Sequence, residues 1–503
     1  MSFPPGTLRF SVLLFALLWM LLPCLHADSP PSSALDVQAH GAKGDGVTDD
    51  TAAIKAVVAK AAAEGASVVY FPKGEYLLSQ GIYLHANLKL TGAPGAVLKT
   101  VPAVTQRFLR PVAKGATMVT VEDASAYTVG HDCYLWDGVG STYEGTVGTI
   151  TAIDPRSNTI TFEGRKSEGA RKAYLANEKS VFSTSFSMLT TSRQGEPIEN
   201  LTIEGLTFDP QPQPGEPLSY PLSPIHIDPR PNKAQQQHVV IRGNTILRSA
   251  ADGISVQGCD NATIEDNRVY NCAGHGIHVG FTIARIVVRN NHIENCGDCA
   301  VFWCYGVVDM VVTHNFIKNN RIGCGGIDAD GYNSVIAFNA FDGNEVGVNM
   351  TGNGKGRTLV NGNFFSNGRG NDVDIYVSSA STISGNMFSG GKGVGISVRG
   401  TQRVNIVDNQ FVDHTGEYAI RLWRQPGGPQ RRSEQIRIAG NFITGGTRAC
   451  LLAEDSSRVI LSENDFAPAE GAKAIEIAAS CTDFVLRDNQ TEGDVINLSA
   501  SQP

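Results

Sequence analysis

Carboxyl and imidazole side chains recur in one stretch of the sequence at spacings that a repeating chain would superimpose. Asp252 and His275 are 23 residues apart, His278 follows shortly after, and Asp228 lies 24 residues before Asp252. Acidic and imidazole groups held close together shift each other's pKa values, so that proton transfer becomes possible near neutral pH. We therefore expect acid–base chemistry here, if the fold stacks segments about two dozen residues apart. Turn stabilisation is the alternative role for Asp252 and His275.

Regularly spaced asparagines show that the chain does repeat at this interval. Asn recurs at positions 244, 267, 291, 315, 339, 363, 386, 409, 441, 464 and 489. Most gaps are 23 to 25 residues, and the longer gap before Asn441 contains a Pro- and Gly-rich segment that predicts an inserted loop. A period of this length is typical of a solenoid.

Within each repeat, short alternating segments predict three strands separated by bends. In the repeat at 253–269, Ile254, Val256 and Ile264 face inward by the alternation, whereas Ser255 and Glu265 face outward. β-Branched residues inside, with Gly or Asn at the bends, indicate an all-β parallel β-helix solenoid. The asparagine column is then a structural ladder at one bend, where Asn tolerates the left-handed conformation and bonds the next coil.

Four segments follow from the remaining sequence. Residues 1–27 read as an export signal, with Arg9 before an apolar stretch, which predicts a secreted or periplasmic protein; lipidation at Cys24 is the alternative. Residues 28–106 hold an N-terminal cap and the first coils, with a capping helix that starts after Thr48 or Asp49. Residues 107–165 form a β-rich insertion, and residues 166–503 form the main β-helix.

Charge and cysteine content limit the partners. The net charge of −8 is spread along the chain, which disfavours nucleic acid, and we expect a monomer with no membrane contact after signal removal. Cys272 and Cys296 superimpose in the repeat, either as a disulfide or as packed thiols. The spacing of Cys296, Cys299 and Cys304 resembles a loose zinc pattern, but stacking accounts for it better, so we expect no metal and no required cofactor.

The N-terminal segment carries a family resemblance. Residues 41–51 (GAKGDGVTDDT) and 69–76 (VYFPKGEY) resemble the N-terminal cap of the pectate-lyase-like β-helix superfamily. That superfamily includes polygalacturonases, mannuronan C-5 epimerases, polysaccharide lyases and phage tailspikes. The resemblance implies a right-handed helix and a carbohydrate substrate lying across the first strand of successive coils.

The outward positions of that first strand supply the candidate site. Acid–base candidates are Asp252, His275, His278, Asp228, Asp328 and Asp330. Substrate-binding candidates are His226, Gln257, Asn349, Tyr376, Arg399, Arg421 and Trp423. Asp328 and Asp330 have a spacing of i and i+2, so on one strand they could act as paired carboxylates, bind calcium, or form a solvated polar face.

Motif comparison with the superfamily leaves the reaction open. Gly274-His275-Gly276 resembles the Gly-His-Gly of polygalacturonases, and Ala251-Asp252 half matches their Asp-Asp, but their Asn-Thr-Asp and Arg-Ile-Lys are missing. The Asp-Pro-His-Glu of mannuronan epimerases is absent at 255–258. A glycoside hydrolase is the leading hypothesis. A lyase or epimerase on uronic acids, using Arg399, Arg421 and Tyr376, is the second, and a non-catalytic adhesin is the third.

Overall fold

The computed structural model describes residues 33–65, 68–140, 142–164, 168–191, 197–213, 215–216, 219, 222–227, 236–281, 283–327, 333–351, 356–424 and 431–499. Three parallel sheets, here called sheets 1, 2 and 3, run along a solenoid, and each coil contributes one strand to each sheet over most of the length. The predicted all-β parallel β-helix is therefore confirmed. The predicted export signal lies outside the described residues.

Sheet 1, which carries the candidate site, has 14 strands. They are Ile82–Leu84, Leu189–Thr191, Ile225–Ile227, Ile254–Gln257, Ile277–Gly280, Cys299–Cys304, Ile322–Ile327, Val346–Thr351, Val373–Tyr376, Ile396–Arg399, Tyr418–Trp423, Ala449–Ala453, Lys473–Ile477 and Val495–Asn497.

Sheet 2 has 16 strands, of which the short strand Cys259–Asp260 pairs to one side. The others are Leu35–Asp36, Val68–Phe71, Lys89–Gly92, Glu199–Glu204, Gln236–Arg242, Thr263–Glu265, Ala284–Arg289, Val308–Thr313, Ser334–Ala337, Thr358–Asn361, Thr382–Ser384, Gln402–Val407, Ser433–Ala439, Ser456–Ser462 and Thr482–Arg487.

Sheet 3 has 15 strands. They are Asp45–Asp49, Gly74–Leu78, Ala96–Thr100, Thr207–Asp209, Thr245–Ile246, Arg268–Tyr270, His292–Glu294, Phe316–Lys318, Ala340–Asp342, Phe364–Ser366, Met387–Ser389, Gln410–His414, Phe442–Gly445, Asp465–Ala467 and Gln490–Thr491.

The core consists of side chains stacked in columns, because parallel pairing places like positions of successive coils above one another. Ile254 pairs with Ile277, which pairs with Val301, and all three are fully buried. Four phenylalanines on sheet 3 stack with ring centroids 4.5 to 4.8 Å apart, which is close to the spacing of neighbouring strands. They are Phe341, Phe365, Phe388 and Phe411.

The asparagine ladder lies between sheets 2 and 3 and is continuous from Asn244 to Asn489. The Nδ2 of each Asn donates to the Oδ1 of the next at 2.9 to 3.1 Å, so the predicted column is confirmed. The left-handed residue is the one before each Asn and not the Asn itself, as at Asp266 and His314. This frees the Asn side chain to point along the ladder.

A helix closes the N-terminal end of the solenoid, as predicted. It spans Thr51–Glu64, buries Ile54 and Val58, and ends at Gly65 in the left-handed conformation. Its N-cap is Asp50 rather than Thr48 or Asp49, because the Asp50 carboxylate accepts the backbone N–H groups of the preceding turn at 2.6 and 3.0 Å.

The insertion is an antiparallel sheet with its own core, which contains Phe108, Phe162 and Phe182. Its six strands are Thr105–Gln106, Met118–Thr120, Asp132–Trp136, Thr146–Asp154, Thr159–Gly164 and Val181–Ser183, with 3-10 turns at Ala124–Ala126 and Thr142–Glu144. The sheet thus continues beyond the predicted boundary at residue 165, because its last strand returns to pair with two earlier ones.

Candidate functional site

Four residues occupy the same turn, just before sheet 1, in four successive coils. Asp252, His275, Asp298 and Arg321 follow one another at intervals of 23 residues, and we call them the corner column. Backbone hydrogen bonds join their coils, as from Gly253 N–H to the His275 carbonyl at 2.9 Å. Arg321 forms an ion pair with Asp298. The turn therefore carries two carboxylates on either side of an imidazole.

Asp252 is held by two hydrogen bonds at the buried end of this column. Its Oδ1 accepts the backbone N–H of His275 at 2.7 Å, and its Oδ2 lies 2.8 Å from His278 Nδ1. Burial raises the pKa of Asp252 to about 6, and the His275 imidazole partly offsets that effect. A carboxyl group with such a pKa can donate a proton near neutral pH.

Both imidazoles are neutral at pH 7, because burial lowers the pKa of His275 to about 4 and that of His278 to about 3. His275 Nδ1 accepts the backbone N–H of Cys299 at 3.2 Å, which places the ring proton on Nε2. The His275 ring stacks on Phe302 with centroids 4.2 Å apart, and the His278 ring packs against Phe302 at 4.9 Å. The cluster is thus rigid and its tautomers are defined.

The candidates on the first coils face away from the solenoid core, as predicted, but they are not solvent-exposed. Asp252, His275, His278, His226 and Gln257 are each at most 2% exposed. The insertion contributes to this cover. Its Tyr134 clusters with Leu222 and Ala251, the residue before Asp252, and Trp136 and Val147 pack against that cluster. The alternation of a strand reports only which side of the sheet a residue faces, whereas burial depends on what lies over that side.

The two predicted substrate-binding residues next to the cluster also belong to this buried layer. His226 pairs with Ser255, which pairs with His278, so the three form one outward column. Gln257 Nε2 donates to Ser255 Oγ at 3.3 Å and to the His278 carbonyl at 3.4 Å. Asp228 lies outside the described residues.

Four other predicted substrate-binding residues form a second group on sheet 1, four or more coils from Gly280, or about 19 Å at the strand spacing. The Arg399 guanidinium lies over the rings of Tyr376 at 4.7 Å and Trp423 at 5.7 Å, and Arg421 lies over Trp423 at 4.4 Å. Cation–π contacts of this kind make a flat, partly polar platform. We call these four residues the arginine–aromatic platform.

Carboxylates already neutralise both arginines of this platform. Arg399 pairs with Asp374, and Arg421 Nη2 lies 2.9 Å from Glu454 Oε2. Asp374 was not among the predicted site residues, because Asn349 pairs with Asp374 and Thr351 with Tyr376, whereas the sequence alignment had matched Asn349 with Tyr376. The coil between them is one residue longer than its neighbours, which changes the phase.

The predicted pair Asp328 and Asp330 lies outside the described residues. In the described part of that strand, Gly325 pairs with Phe302, so Asp328 does not take the position beside Phe302 that the sequence alignment had given it.

Two sets of side chains in the described chain bring metal-ligating atoms within 4.8 Å of one another: Asp252 with His275 and His278, and His275 with Asp298 and Cys299. In the first set, Asp252 and His278 are bonded to each other, and His275 Nδ1 already accepts a backbone N–H. These lone pairs serve a hydrogen-bond network, and we derive no metal-dependent step.

The cysteines have a different arrangement from either sequence alternative. Cys272 and Cys296 are buried neighbouring thiols without a disulfide, so they pack in the core as one alternative proposed. Cys296, Cys299 and Cys304 do not converge on a common point in the described structure. Sequence reasoning missed that Cys304 Sγ lies 3.3 Å from His278 Nε2. It also missed Asp298 and Arg321, although the interval of 23 residues from His275 would have found both.

Fold and site together define a right-handed β-helix with a carbohydrate-enzyme type of surface, and the comparisons assign its family. The model described as "Rhamnogalacturonase A/epimerase, pectate lyase-like" matches residues 34–301, and the right-handed β-helix region matches residues 232–371 and 300–427. The chain belongs to the rhamnogalacturonase A/epimerase, pectate lyase-like family. No helix in the described chain has the length and apolar content needed to cross a membrane.

Curated relatives share only parts of the chain. An exopolygalacturonase of Arabidopsis thaliana is 26% identical over 268 residues, which cover 50% of each protein. A probable glucan endo-1,3-beta-glucosidase of Arthroderma benhamiae is 52% identical over 58 residues, 12% of this chain and 6% of the relative. The chain thus spans half or less of the length of these relatives.

Solved structures with the same fold include two at low sequence identity. The A-module of mannuronan C-5 epimerase AlgE4 from Azotobacter vinelandii is 17% identical with a TM-score of 0.51, covering 92% of this chain and 100% of that one. The N-terminal fragment of gene product 12 from bacteriophage phi29 is 16% identical with a TM-score of 0.56, covering 97% and 70%. These similarities show the fold alone.

Proposed function

We propose that this protein is an exported glycoside hydrolase that cleaves a polysaccharide bound along the outward side of sheet 1, as a monomer and without a required cofactor. The observation that carries the proposal is the Asp252 carboxyl, whose pKa is raised to about 6 by burial within a fixed set of hydrogen bonds. Asp252 is the proton donor to the leaving sugar oxygen. The family membership and the carbohydrate-active relatives support this substrate class.

Asp298 is the partner carboxylate. It stands two coils from Asp252 in the corner column, about 9 to 10 Å along the helix axis at the strand spacing. A carboxyl pair at the upper end of this range leaves room for a water molecule, which suits an inverting hydrolase. Asp298 is also the more exposed of the two, with 35% of its side chain accessible, as a group that activates water requires.

His275 and His278 position the donor. The His275 backbone N–H fixes one oxygen of Asp252 and His278 Nδ1 fixes the other, so the carboxyl cannot rotate. The arginine–aromatic platform, about 19 Å along the same sheet, would stack sugar rings at the far end of the bound chain.

The alternative is a lyase or epimerase acting on uronic acids, with Tyr376 as base and Arg399 and Arg421 neutralising the substrate carboxylate. Their clustering favours it, but Asp374 and Glu454 already pair with those arginines. A guanidinium with a carboxylate partner offers less charge to a second carboxylate. We therefore place the hydrolase first.

Single variants Asp252→Asn and Asp298→Asn, assayed on a panel of polysaccharides, test the proposal. Each should lower kcat by 100-fold or more, since a positioned acid or base contributes roughly 10² to 10⁴. Asp266→Asn is the matched control, because Asp266 is exposed in a bend away from sheet 1, in a left-handed conformation that Asn tolerates. It should keep full activity.

Product analysis separates the two reaction classes. Hydrolysis leaves saturated reducing ends, whereas elimination leaves an unsaturated uronate that absorbs in the ultraviolet. Absorbing products would replace the hydrolase with the lyase. Full activity of both carboxylate variants would remove the corner column from the mechanism.

A further inference from the structure

The second nitrogen of His278 meets a thiol that glycoside cleavage does not use. Cys304 is the last residue of the strand Cys299–Cys304 and pairs with Gly280 in the previous coil, two residues after His278. Its Sγ lies 3.3 Å from His278 Nε2, while His278 Nδ1 lies 2.8 Å from Asp252 Oδ2. Carboxylate, imidazole and thiol are therefore connected in series.

The hydrogen bonds define the direction in which a proton can move through this series. An ionised Asp252 oxygen accepts the proton of His278 Nδ1, which leaves the lone pair of Nε2 facing the thiol. The imidazole is neutral at pH 7 because burial lowers its pKa to about 3, so it is available as a base. A nucleophile bonded to a base, with the base oriented by a third group, is the arrangement of covalent catalysis in acyl transfer.

Access distinguishes this thiol from the other described cysteines. Cys304 is 8% exposed, more than any of the other eight, which range from 0 to 3%. Burial raises the pKa of Cys259 and of Cys450 to about 12, so those thiols are poor nucleophiles.

The strand beside the thiol is shaped to let it approach a carboxamide. A β-carbon at Gly280 would lie 2.7 Å from Cys304 Sγ and 2.8 Å from Gln257 Oε1, so a side chain there would collide with both. Glycine thus allows the thiol and the Gln257 carboxamide to lie over the same point of the strand. A polar amide next to the nucleophile is suited to orienting a carbonyl group.

We infer that Asp252, His278 and Cys304 form a thiol acyl-transfer site that removes a small acyl group from an ester, such as an O-acyl substituent carried by the polysaccharide. Cys304 Sγ forms a bond to the ester carbonyl carbon, and its proton passes to His278 Nε2. The bond from that carbon to the sugar oxygen breaks, and the oxygen takes the proton from His278. Water then hydrolyses the thioester, releasing the acid and restoring the thiol. This activity is separate from glycoside cleavage and does not depend on it.

The test uses the full chain and p-nitrophenyl acetate, with the acetyl adduct located by mass spectrometry after rapid acid quenching. We expect acetylation of Cys304, and a loss of at least 10-fold in p-nitrophenol release in Cys304→Ala. Cys299→Ala is the matched control, since Cys299 lies on the same strand, is 1% exposed, and donates to His275 through its backbone only. It should release p-nitrophenol at the parental rate.

Two further measurements keep the outcome decisive. Cys304→Ser, which preserves volume, should lose the acetyl adduct while retaining the circular dichroism spectrum, so that misfolding is separated from loss of the nucleophile. Iodoacetamide should alkylate Cys304 before the other cysteines. Acetyl groups spread over lysines with Cys304 unmodified, or p-nitrophenol release unchanged in both Cys304 variants, would overturn the inference. Alkylation of Cys304 without an acetyl adduct would also overturn it.

Discussion

Replacing Asp372 with Asn should make the protein more stable, and increasingly so as the pH rises. Asp372 precedes a sheet 1 strand, is 3% exposed, and lies so close to its surroundings that a β-carbon at Gly368 or Gly391 would be within 2.7 Å of its carboxyl oxygens. Burial raises its pKa from 3.8 to about 8. The folded protein therefore keeps this carboxyl protonated at pH values where the unfolded chain has ionised it.

The sign and size of the effect follow from that difference. Because the folded state holds a proton that the unfolded state releases, stability falls as pH rises from about 4 to about 8. At about 1.4 kcal/mol for each tenfold difference in proton affinity, the loss is at most about 6 kcal/mol. Asn has a similar size and no proton to lose, so Asp372→Asn should remove this loss.

Urea unfolding of both proteins between pH 4 and pH 9 measures the effect. The unfolding free energies should nearly coincide at pH 4 and diverge in favour of Asp372→Asn up to pH 8. Asp408→Asn is the control, because Asp408 is exposed, and its difference from the parent should not vary with pH in this way. A constant difference between Asp372→Asn and the parent across the range would refute the reasoning.

Three other predictions concern the ladder, the strand phase and the proton donor. Asn315→Ala removes the hydrogen bonds that Asn315 makes with its neighbours, including those to Val288 O and Asn339 Oδ1, and should cost about 2 to 4 kcal/mol of unfolding free energy, whereas exposed Asn405→Ala should cost under about 0.5. Ile264→Asp should destabilise by several kcal/mol in thermal unfolding, while Glu265→Ala should change stability by about 0.5 to 1, since the first is fully buried and the second pairs outward with an arginine. The pH profile of kcat should fall as pH rises through about 6, where Asp252 loses its proton, and a profile flat from pH 5 to 8 would remove Asp252 as the donor.

The sequence predicted the parts of this molecule that repeat at a fixed interval. The asparagine ladder was found because each Asn performs the same task in each coil, so the period is visible in the residue types themselves. Asp252 and His275 were found for the same reason. Asp298 and Arg321 share that interval, but a single exposed aspartate in a turn does not differ in residue type from many others.

What sequence reasoning could not supply was the phase after irregular turns and the depth of burial. One additional residue before Val373 moved Asp374 into the outward column and Tyr376 one position further along. The burial of His278 depends on layers outside the coil, including an insertion that starts more than 150 residues earlier in the chain. The contact of Cys304 with His278 likewise requires side-chain rotamers, which no spacing encodes.

The asparagine ladder has a direction. The backbone N–H and the side-chain amide of Asn291 both donate to the Oδ1 of Asn315, so each coil obtains its acceptor from the coil that follows it in the chain. A chain folding from its N-terminus would therefore always end in a coil with two unsatisfied donors, until the next coil arrives to accept them. Each coil is in this sense a template for its successor. Growth would be vectorial, with the helix at Thr51–Glu64 closing the end at which it starts.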